Sequence, residues 1–250
     1  MPTFRHAGDL GDIVLSLPVV RHLGGGVMLI EAANYTRQVL TPDKWCGIDD
    51  LLRVQPYITA VRAWRYGEQV QVNLNDFRQR LFKALRAGQH KDKSLVDWML
   101  ETHGCPLSAK DEAWLTVPLD KIEKVARVVI NRTGPGRPMH HVYQNHLFPW
   151  HRVWQKYKDV AVFVGTELEY DSWCALFGEI PHCVTGTLYD AARVIAGADL
   201  FIGNQSVCRA IASGMKKDIV LEVWPSGANC LENRPGVING WDQHTKLPDL

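Results

Sequence analysis

The sequence lacks paired cysteines, long apolar runs and a substantial net charge, and each absence narrows the class of protein. Its 6 cysteines are scattered without a C-x-x-C pair, which fits neither a disulfide framework nor a zinc knuckle and indicates reduced, mostly buried thiols. No uncharged apolar run reaches about 18 residues, and no apolar secretion core follows the first residue. A formal net charge of +1 gives no overall field for nucleic acid or acidic membranes. We therefore expect a soluble, cytoplasmic protein with no transmembrane segment.

The dinucleotide-binding fingerprint G-x-G-x-x-G is also missing from both halves of the chain. The stretch GDLGD at residues 8–12 interrupts it with acids that would repel a pyrophosphate, which disfavours a dinucleotide oxidoreductase. What the sequence contains instead is an alternation of short β-prone runs with helical patterns. This alternation is typical of βαβ units and parallel sheets.

Two α/β halves follow one another, separated by the stretch LTVPLDKIEK. We assign residues 1–120 to a first Rossmann-like, doubly wound domain and 121–250 to a second, with the ligand in a cleft where the two face each other. Strands are predicted at 3–6, 27–32, 58–64, 70–74, 125–131, 159–165, 182–186, 199–204 and 218–224. Helices are predicted after residue 12, within 77–103, and at 167–177, 188–197 and 206–214.

The glycine-rich turn at residues 8–12 places two acids at the start of the first helix. Asp12 would lie where the helix dipole favours a carboxylate, so we expect it to be ionised near neutral pH. Asp9 is its rival for a chemical role, or else caps the turn. Pro18 falls inside the apolar helical pattern and should kink this helix or shift its start.

A second turn, in the stretch DLFIGNQSVCRAIASG, joins a buried strand to another helix. Ser206 is suited to cap that helix, and Gly214 to end it. The free N–H groups and the positive dipole end at Ser206 would form an anion site suited to a diphosphate.

Both turns carry a resemblance to one family. The stretches GTLYDAARVIAGADLFIGNQS and IASGMKKDIVLEVWP resemble the donor-binding half of glycosyltransferase family 9, the ADP-heptose:lipopolysaccharide heptosyltransferases and their relatives. The stretch GDLGDIVLSLPVVRHL resembles that family's N-terminal motif. The resemblance is weak between residues 34 and 120, Asn204-Gln205-Ser206 replaces the family's Asp-Thr or Asp-Ser, and Arg209 stands about where its histidine is expected.

The resemblance implies a GT-B type fold and a glycosyltransferase that uses a nucleotide-diphosphate sugar without a cofactor. It implies Asp12 as the base that accepts the acceptor's proton, with Asp9 as the alternative. No metal is then required, and the absence of a D-x-D pair agrees with this. The residues expected around the donor are Gly11, Arg132, Thr133, Glu167, Asn204, Gln205, Ser206, Val207, Arg209 and Glu222.

Several of these residues have a plain structural alternative. Arg132 and Thr133 either bind phosphate oxygens or are ordinary turn residues. Glu167 either meets the ribose or base of the nucleotide or caps a helix. Glu222, inside the apolar run LEVW, either faces the ligand or forms a core ion pair, and we favour the former.

A group of histidines follows Arg132. The residues His140, His141, His146 and His151 lack the spacing of a metal site. We expect this loop to close over the donor instead, with Tyr143 or Trp150 against the nucleobase.

The acceptor is the least defined partner. The family implies a glycan, lipid-linked or other hydroxyl acceptor. The cations Arg78, Arg80, Lys83 and Arg86 would lie on the outer side of one helix, either as a solvated face or as a dock for an anionic acceptor such as a nucleic-acid base or a sugar phosphate. Two other functions remain open: a nucleotide-sugar epimerase of the same architecture, and a degenerate transferase that only binds a partner.

Overall fold

The computed structural model describes residues 1–31, 42–88, 93–134, 144–225, 227 and 231–250, without the side chains of 42–46. The chain divides into two compact units. Unit 1 comprises Met1–Thr116 and Thr187–Tyr189, and unit 2 comprises Val117–Gly186 and Asp190–Leu250. The sequence pattern places the boundary a few residues later, after residue 120.

Unit 1 is built on a four-stranded parallel sheet in the order β3-β2-β1-β4. Its strands are β1 (Thr3–His6), β2 (Gly26–Ile30), β3 (Ile58–Ala63) and β4 (Val72–Asn73). Its helices are α1 (Leu10–His22), α2 (Pro42–Arg53), α3 (Phe77–Arg86) and α4 (Leu95–Thr102), followed by a 3-10 turn at Leu107–Lys110. Of the two central strands, β2 (GVMLI) is a nearly continuous buried apolar run, whereas β1 (TFRH) alternates half-buried and buried residues.

Unit 2 is built on a six-stranded parallel sheet in the order β10-β9-β8-β5-β6-β7. Its strands are β5 (Val128–Asn131), β6 (Ala161–Val164), β7 (His182–Cys183), β8 (Leu200–Gly203), β9 (Asp218–Glu222) and β10 (Val237–Gly240). Its helices are α5 (Trp150–Tyr157), α6 (Glu167–Phe177), α7 (Leu188–Gly197) and α8 (Val207–Gly214), and a 3-10 turn at Leu119–Lys121 precedes β5. The first residues of α7 group with unit 1.

Both strand orders are those of Rossmann folds. Counted from β5, the sheet of unit 2 has the order 3-2-1-4-5-6, and the sheet of unit 1 has the order 3-2-1-4. In each sheet the chain runs outward on one side of the first strand and then crosses to the other side. This creates a switch point between β1 and β4 in unit 1, and between β5 and β8 in unit 2. Ligands of such sheets bind outside the carboxyl ends of the strands at these points.

Local sequence signals set several helix ends. Thr166 caps α6 in a capping box with Glu169, and Ser94 does the same for α4 with Asp97. Helix α1 begins at Leu10 and continues through the buried Pro18, so of the two predicted effects of this proline, a kink or a shifted start, the shifted start is wrong. Ser16 donates its hydroxyl proton to the Ile13 carbonyl at 2.8 Å within the same helix.

The structure adds α2, α5 and β10 to the predicted elements and divides the region 77–103 into α3 and α4. Among the described helices, none is long and apolar enough to cross a membrane. Four cysteines of the described part are free thiols: Cys105 and Cys208 are buried, and Cys174 and Cys183 are half-buried.

Candidate functional site

The switch point of unit 1 is formed by the chain leaving β1 and by the loop after β4. The Ala7 N–H donates to Asn75 Oδ1 at 3.0 Å, which ties the two loops together. The Gly8 N–H donates to Nδ1 of the buried His6 imidazole at 2.8 Å, and this bond fixes the turn at Gly8. These contacts fix the path by which the chain enters α1.

Asp12 lies in the first turn of α1 and is paired with Arg78 of α3. The Arg78 guanidinium donates to Asp12 Oδ2, and the two side chains are only 19% and 18% exposed. The guanidinium also lies 5.2 Å from the centre of the Phe77 ring. The prediction that four cations lie on the exposed side of α3 is therefore confirmed for Arg80, Lys83 and Arg86. It is wrong for Arg78, which is half-buried.

The pKa of the Asp12 carboxyl group is raised above its usual value. The sequence predicts the opposite direction, because the helix dipole at the start of α1 favours the carboxylate. Burial is the largest cause; the Arg78 guanidinium acts in the opposite direction, and the Asp9 carboxylate adds to the rise. A carboxylate of raised pKa is a stronger general base.

Asp9 and Gly11 lie beside Asp12 in the same turn. Asp9 is the N-cap residue of α1, with extended backbone, and its carbonyl accepts the Ile13 N–H at 3.1 Å. Its side chain makes no capping hydrogen bond, so capping is not what the Asp9 carboxylate does here. Gly11 is half-buried in the first turn of the helix.

Two histidines with lowered pKa lie beneath this turn. The pKa of His6 is lowered to about 3, chiefly by burial and then by the nearby Arg78 charge, with a smaller effect from His103. Burial also lowers the pKa of His103 at the end of α4, while Asp76 raises it. His6 is therefore a neutral ring whose Nδ1 accepts a hydrogen bond.

At the switch point of unit 2, Asn204 joins the loops after β5 and β8. It is fully buried; its Oδ1 accepts the Thr133 N–H at 3.0 Å, and its Nδ2 donates to the Thr133 carbonyl at 2.8 Å. These bonds hold Thr133 and Asn204, both predicted around the donor, side by side. The Asn204 side chain is committed to this bridge.

Ser206 is the N-cap of α8, as predicted. Its Oγ accepts the Arg209 N–H at 3.2 Å and donates to Asn131 Oδ1 at 2.6 Å. Asn131 ends β5 and in turn donates to the Val164 carbonyl at 2.8 Å. Both hydrogen bonds of the Ser206 hydroxyl are therefore made within unit 2. Val207, the first residue of α8, is half-buried. The group left to face an anion is the main chain at the helix start.

Gln205 fixes the middle of the same turn. Its Oε1 accepts the Trp224 N–H at 3.0 Å, and its Nε2 donates to the Gly227 carbonyl at 2.9 Å. The turn is therefore attached on one side to the loop after β5 and on the other to the segment after β9.

Arg132 and Glu222 form a buried ion pair, which corrects two predictions. Arg132 Nε lies 3.3 Å from Glu222 Oε2, and the side chains are 7% and 0% exposed. Glu222 Oε1 also accepts the Asn145 N–H at 2.6 Å. Burial raises the pKa of Glu222, and Arg132 opposes that rise. Because each group satisfies the other in the core, Glu222 does not face a ligand, and the Arg132 guanidinium is not presented to phosphate.

Arg209 is also held by an acid. Its Nη2 lies 3.3 Å from Glu232 Oε2, and the same carboxylate accepts the Arg234 Nε–H at 2.6 Å and the Ser213 hydroxyl. Despite burial, the surrounding cations lower the pKa of Glu232. Arg209 thus takes part in an ionic network along α8, which the sequence did not reveal.

The remaining predictions lie around these turns. Glu167 is exposed in the first turn of α6, while the capping box there uses Glu169. Trp150 is buried against Trp173, with ring centres 5.2 Å apart, so it does not offer a face to a nucleobase. His146 and His151 are exposed; His140, His141 and Tyr143 lie outside the described residues. No group of three potential metal-binding His, Cys, Asp or Glu residues occurs in the described ranges.

The chain matches no family model and no curated protein by sequence. It is similar in fold to a glycosyltransferase family 9 protein from Veillonella parvula, at 12% identity and a TM-score of 0.55, covering 88% of this chain and 79% of that one. It is similar to E. coli heptosyltransferase WaaC, solved with ADP-2-deoxy-2-fluoro heptose, at 10% identity and a TM-score of 0.54, covering 97% and 95%. It is also similar to the iron-containing dodecameric E. coli glycosyltransferase TibC, at 13% identity and a TM-score of 0.56, covering 97% and 66%. The chain therefore has the fold of family 9 glycosyltransferases.

Sequence reasoning missed three residues of these sites. His6 ends β1 and Asn131 ends the buried strand β5, so both lie at the carboxyl edge of a parallel sheet. Arg78 looked like one cation of an exposed helix face, and only the packing of α3 reveals its partner 66 residues away.

Proposed function

We propose that this protein is a metal-independent, inverting glycosyltransferase of the GT-B type that takes a nucleotide-diphosphate sugar as donor. One observation carries the proposal: each of the two family-like motifs falls at the topological switch point of a Rossmann-order sheet. The fold shared with heptosyltransferases, one of them solved with an ADP-sugar, supports the same donor class.

We assign donor binding to the start of α8. The side chains of Asn204, Gln205 and Ser206 are all used to fix the turn. The main-chain N–H groups at the start of α8, apart from the Arg209 N–H that donates to Ser206 Oγ, then meet the diphosphate, together with the positive end of the helix dipole. Because these donors are fixed before the ligand arrives, they stabilise the negative charge that develops on the leaving diphosphate without reorganisation.

We assign the base to Asp12. The acceptor hydroxyl oxygen attacks the anomeric carbon, its proton passes to the Asp12 carboxylate, and the bond from that carbon to the diphosphate oxygen breaks. The nucleoside diphosphate leaves with the electron pair, and attack from the opposite face inverts the anomeric configuration. General-base assistance of this kind contributes about 100-fold to 10,000-fold in rate.

In this proposal the leaving group is stabilised by main-chain donors, so no metal ion takes part. TibC, which shares the fold, is an iron-containing protein, and the metal requirement of this chain is therefore worth testing directly. Full turnover in the presence of EDTA supports the proposal, and loss of turnover that iron or magnesium restores would contradict it.

The decisive experiment presents the purified chain with ADP, UDP and GDP sugars. Thermal shift identifies the nucleotide that stabilises the chain, and mass spectrometry identifies sugar-bearing products or released sugar. We expect one nucleotide class to stabilise it and Asp12→Asn to lower turnover by about 100-fold to 10,000-fold while that stabilisation remains. Asp111→Asn, an exposed aspartate of unit 1, is the matched control.

The other outcomes separate the alternatives. Stabilisation by a nucleotide without turnover would favour a degenerate binding protein, and a changed sugar still attached to its nucleotide would favour an epimerase. The mass of the product also identifies the acceptor class: glycan, lipid-linked sugar, nucleic acid or another hydroxyl compound.

A further inference from the structure

We propose that Arg78 is the positioning residue of the candidate base: through its ion pair it fixes the orientation of the Asp12 carboxylate and maintains its anionic form. This inference rests on the proposed function for its catalytic consequence. The pairing itself is a property of unit 1.

The geometry around Gly8 carries the inference. A Cβ built on Gly8 would lie 2.4 Å from His6 Cε1, 2.7 Å from Arg78 Nη2 and 3.0 Å from Asp12 Cβ. Three side chains from β1, α1 and α3 therefore converge on one glycine. The absence of a side chain at position 8 is what allows the guanidinium to reach the carboxylate across the turn.

The charges around the pair explain why a cation is needed. Asp12 is packed among Asp9 on its own turn, His6 on β1 and Arg78 on α3, while His103 at the end of α4 lies near His6. Burial and Asp9 both disfavour the Asp12 carboxylate, and the two histidines are held neutral. Arg78 is the group in this set whose charge favours the anion.

The pairing also orients the carboxylate. A guanidinium hydrogen bond to Oδ2 restricts rotation about the Cβ–Cγ bond, which leaves the other oxygen, Oδ1, as the proton acceptor. The ring of Phe77 and the Gly8 backbone confine the guanidinium in turn. Arg78 thus acts through Asp12 rather than on the substrate.

The test compares Arg78→Met and Arg78→Lys with Arg86→Met, which removes the same charge from the exposed side of α3. Selective ¹³C labelling of aspartate follows the Asp12 carboxyl titration, with Asp12→Asn used to assign its resonance. We expect Arg78→Met to raise the Asp12 titration midpoint by about one to two pH units. Arg78→Lys should raise it by less, and Arg86→Met should leave it unchanged.

The second readout is the acid limb of the pH–rate profile. In Arg78→Met this limb should shift to higher pH by as much as the Asp12 titration midpoint does, while the KM for the donor stays unchanged. Gly8→Ala serves as a second variant, because its methyl group crowds both His6 and Arg78 without removing any charge. An unchanged Asp12 midpoint in Arg78→Met, or faster turnover, overturns the proposal. The titration is read without turnover, so a chain that transfers no sugar would disprove the proposed function and still decide the role of Arg78.

Discussion

The side-chain amide of Asn204 pairs with both main-chain polar groups of Thr133, accepting from the N–H at 3.0 Å and donating to the carbonyl at 2.8 Å. An asparagine side chain therefore fits this position better than an aspartate side chain would. A carboxylate accepts the first bond but has no proton for the second. At a fully buried position, that difference decides which residue fits.

Asn204→Asp should therefore destabilise unit 2 by about 2 kcal/mol at pH 7, because the Thr133 carbonyl loses its donor next to a buried charge. The loss should shrink at low pH, where the protonated carboxyl group regains a donor. Urea unfolding at pH 7 and pH 4.5 measures both effects. Asn233→Asp, at an exposed position, is the control; equal stability of the two variants would show that the bridge contributes nothing.

Ser206→Ala removes the α8 cap and the partner of Asn131 Oδ1. We expect a loss of about 1 kcal/mol in unfolding free energy and a loss of about fivefold in nucleotide affinity, since the turn that presents the N–H groups loosens. Thr166→Ala removes the corresponding cap of α6. It should cost similar stability and leave nucleotide affinity unchanged. Equal affinity losses in the two variants would contradict a donor site at α8.

The buried pair Arg132–Glu222 gives a double-mutant prediction. Either Arg132→Met or Glu222→Gln leaves one buried polar group without its partner and should cost about 3 kcal/mol in unfolding free energy. The double variant Arg132→Met/Glu222→Gln should cost less than the sum, because it removes both charges and leaves neither of them buried without its partner. Denaturant unfolding of the four proteins gives the coupling energy. Additive losses would show that the pair is not coupled.

His6 makes stability depend on pH. In the folded chain its pKa is about 3, whereas an unfolded histidine titrates near 6.5. The unfolded state therefore takes up the extra proton, and stability falls as the pH drops from about 6.5 towards 3, by about 2 kcal/mol between pH 7 and pH 5. His6→Asn keeps an acceptor near Nδ1 but does not titrate.

The measurement is urea unfolding at pH 7 and pH 5 for wild type, His6→Asn and His151→Asn. The first variant should lose most of the acid-induced destabilisation. The second, which removes an exposed ring, should retain it. An unchanged pH dependence in His6→Asn would contradict the burial of a neutral imidazole.

The sheet of unit 2 was predictable because β5, β6, β8 and β9 are nearly continuous buried runs. Helices α6 and α7 were predicted with their observed bounds, and the start of α6 is marked by a local capping box. Strand β10 was missed since VING carries two half-buried apolar residues and forms an edge that pairs only with β9 among the described strands. Helix α5 was missed because it begins at Trp150 directly after a proline, has an aromatic and cationic sequence, and lacks a polar cap residue.

The sequence predicted which turns form the candidate sites, but it did not predict which side chains pair with each other there. The positions of Asp12 and Ser206 follow from local glycine and cap signals. The partners of Arg132 and Arg78 lie 90 and 66 residues away in sequence, and no periodicity encodes such a pairing. Arg78 and Arg132, which were predicted as candidates for binding an anionic substrate, instead form ion pairs with Asp12 and Glu222 inside their own units.

The segment that follows β10 returns to α5. Lys156 Nζ donates to the Leu247 carbonyl at 3.0 Å, and the Tyr157 hydroxyl donates to the Pro248 carbonyl at 2.6 Å. During translation, unit 2 therefore cannot complete its packing until Pro248 has cleared the ribosomal tunnel, whereas most of unit 1 has emerged much earlier. Until then the Lys156 ammonium and the Tyr157 hydroxyl of α5 lack these two carbonyl acceptors.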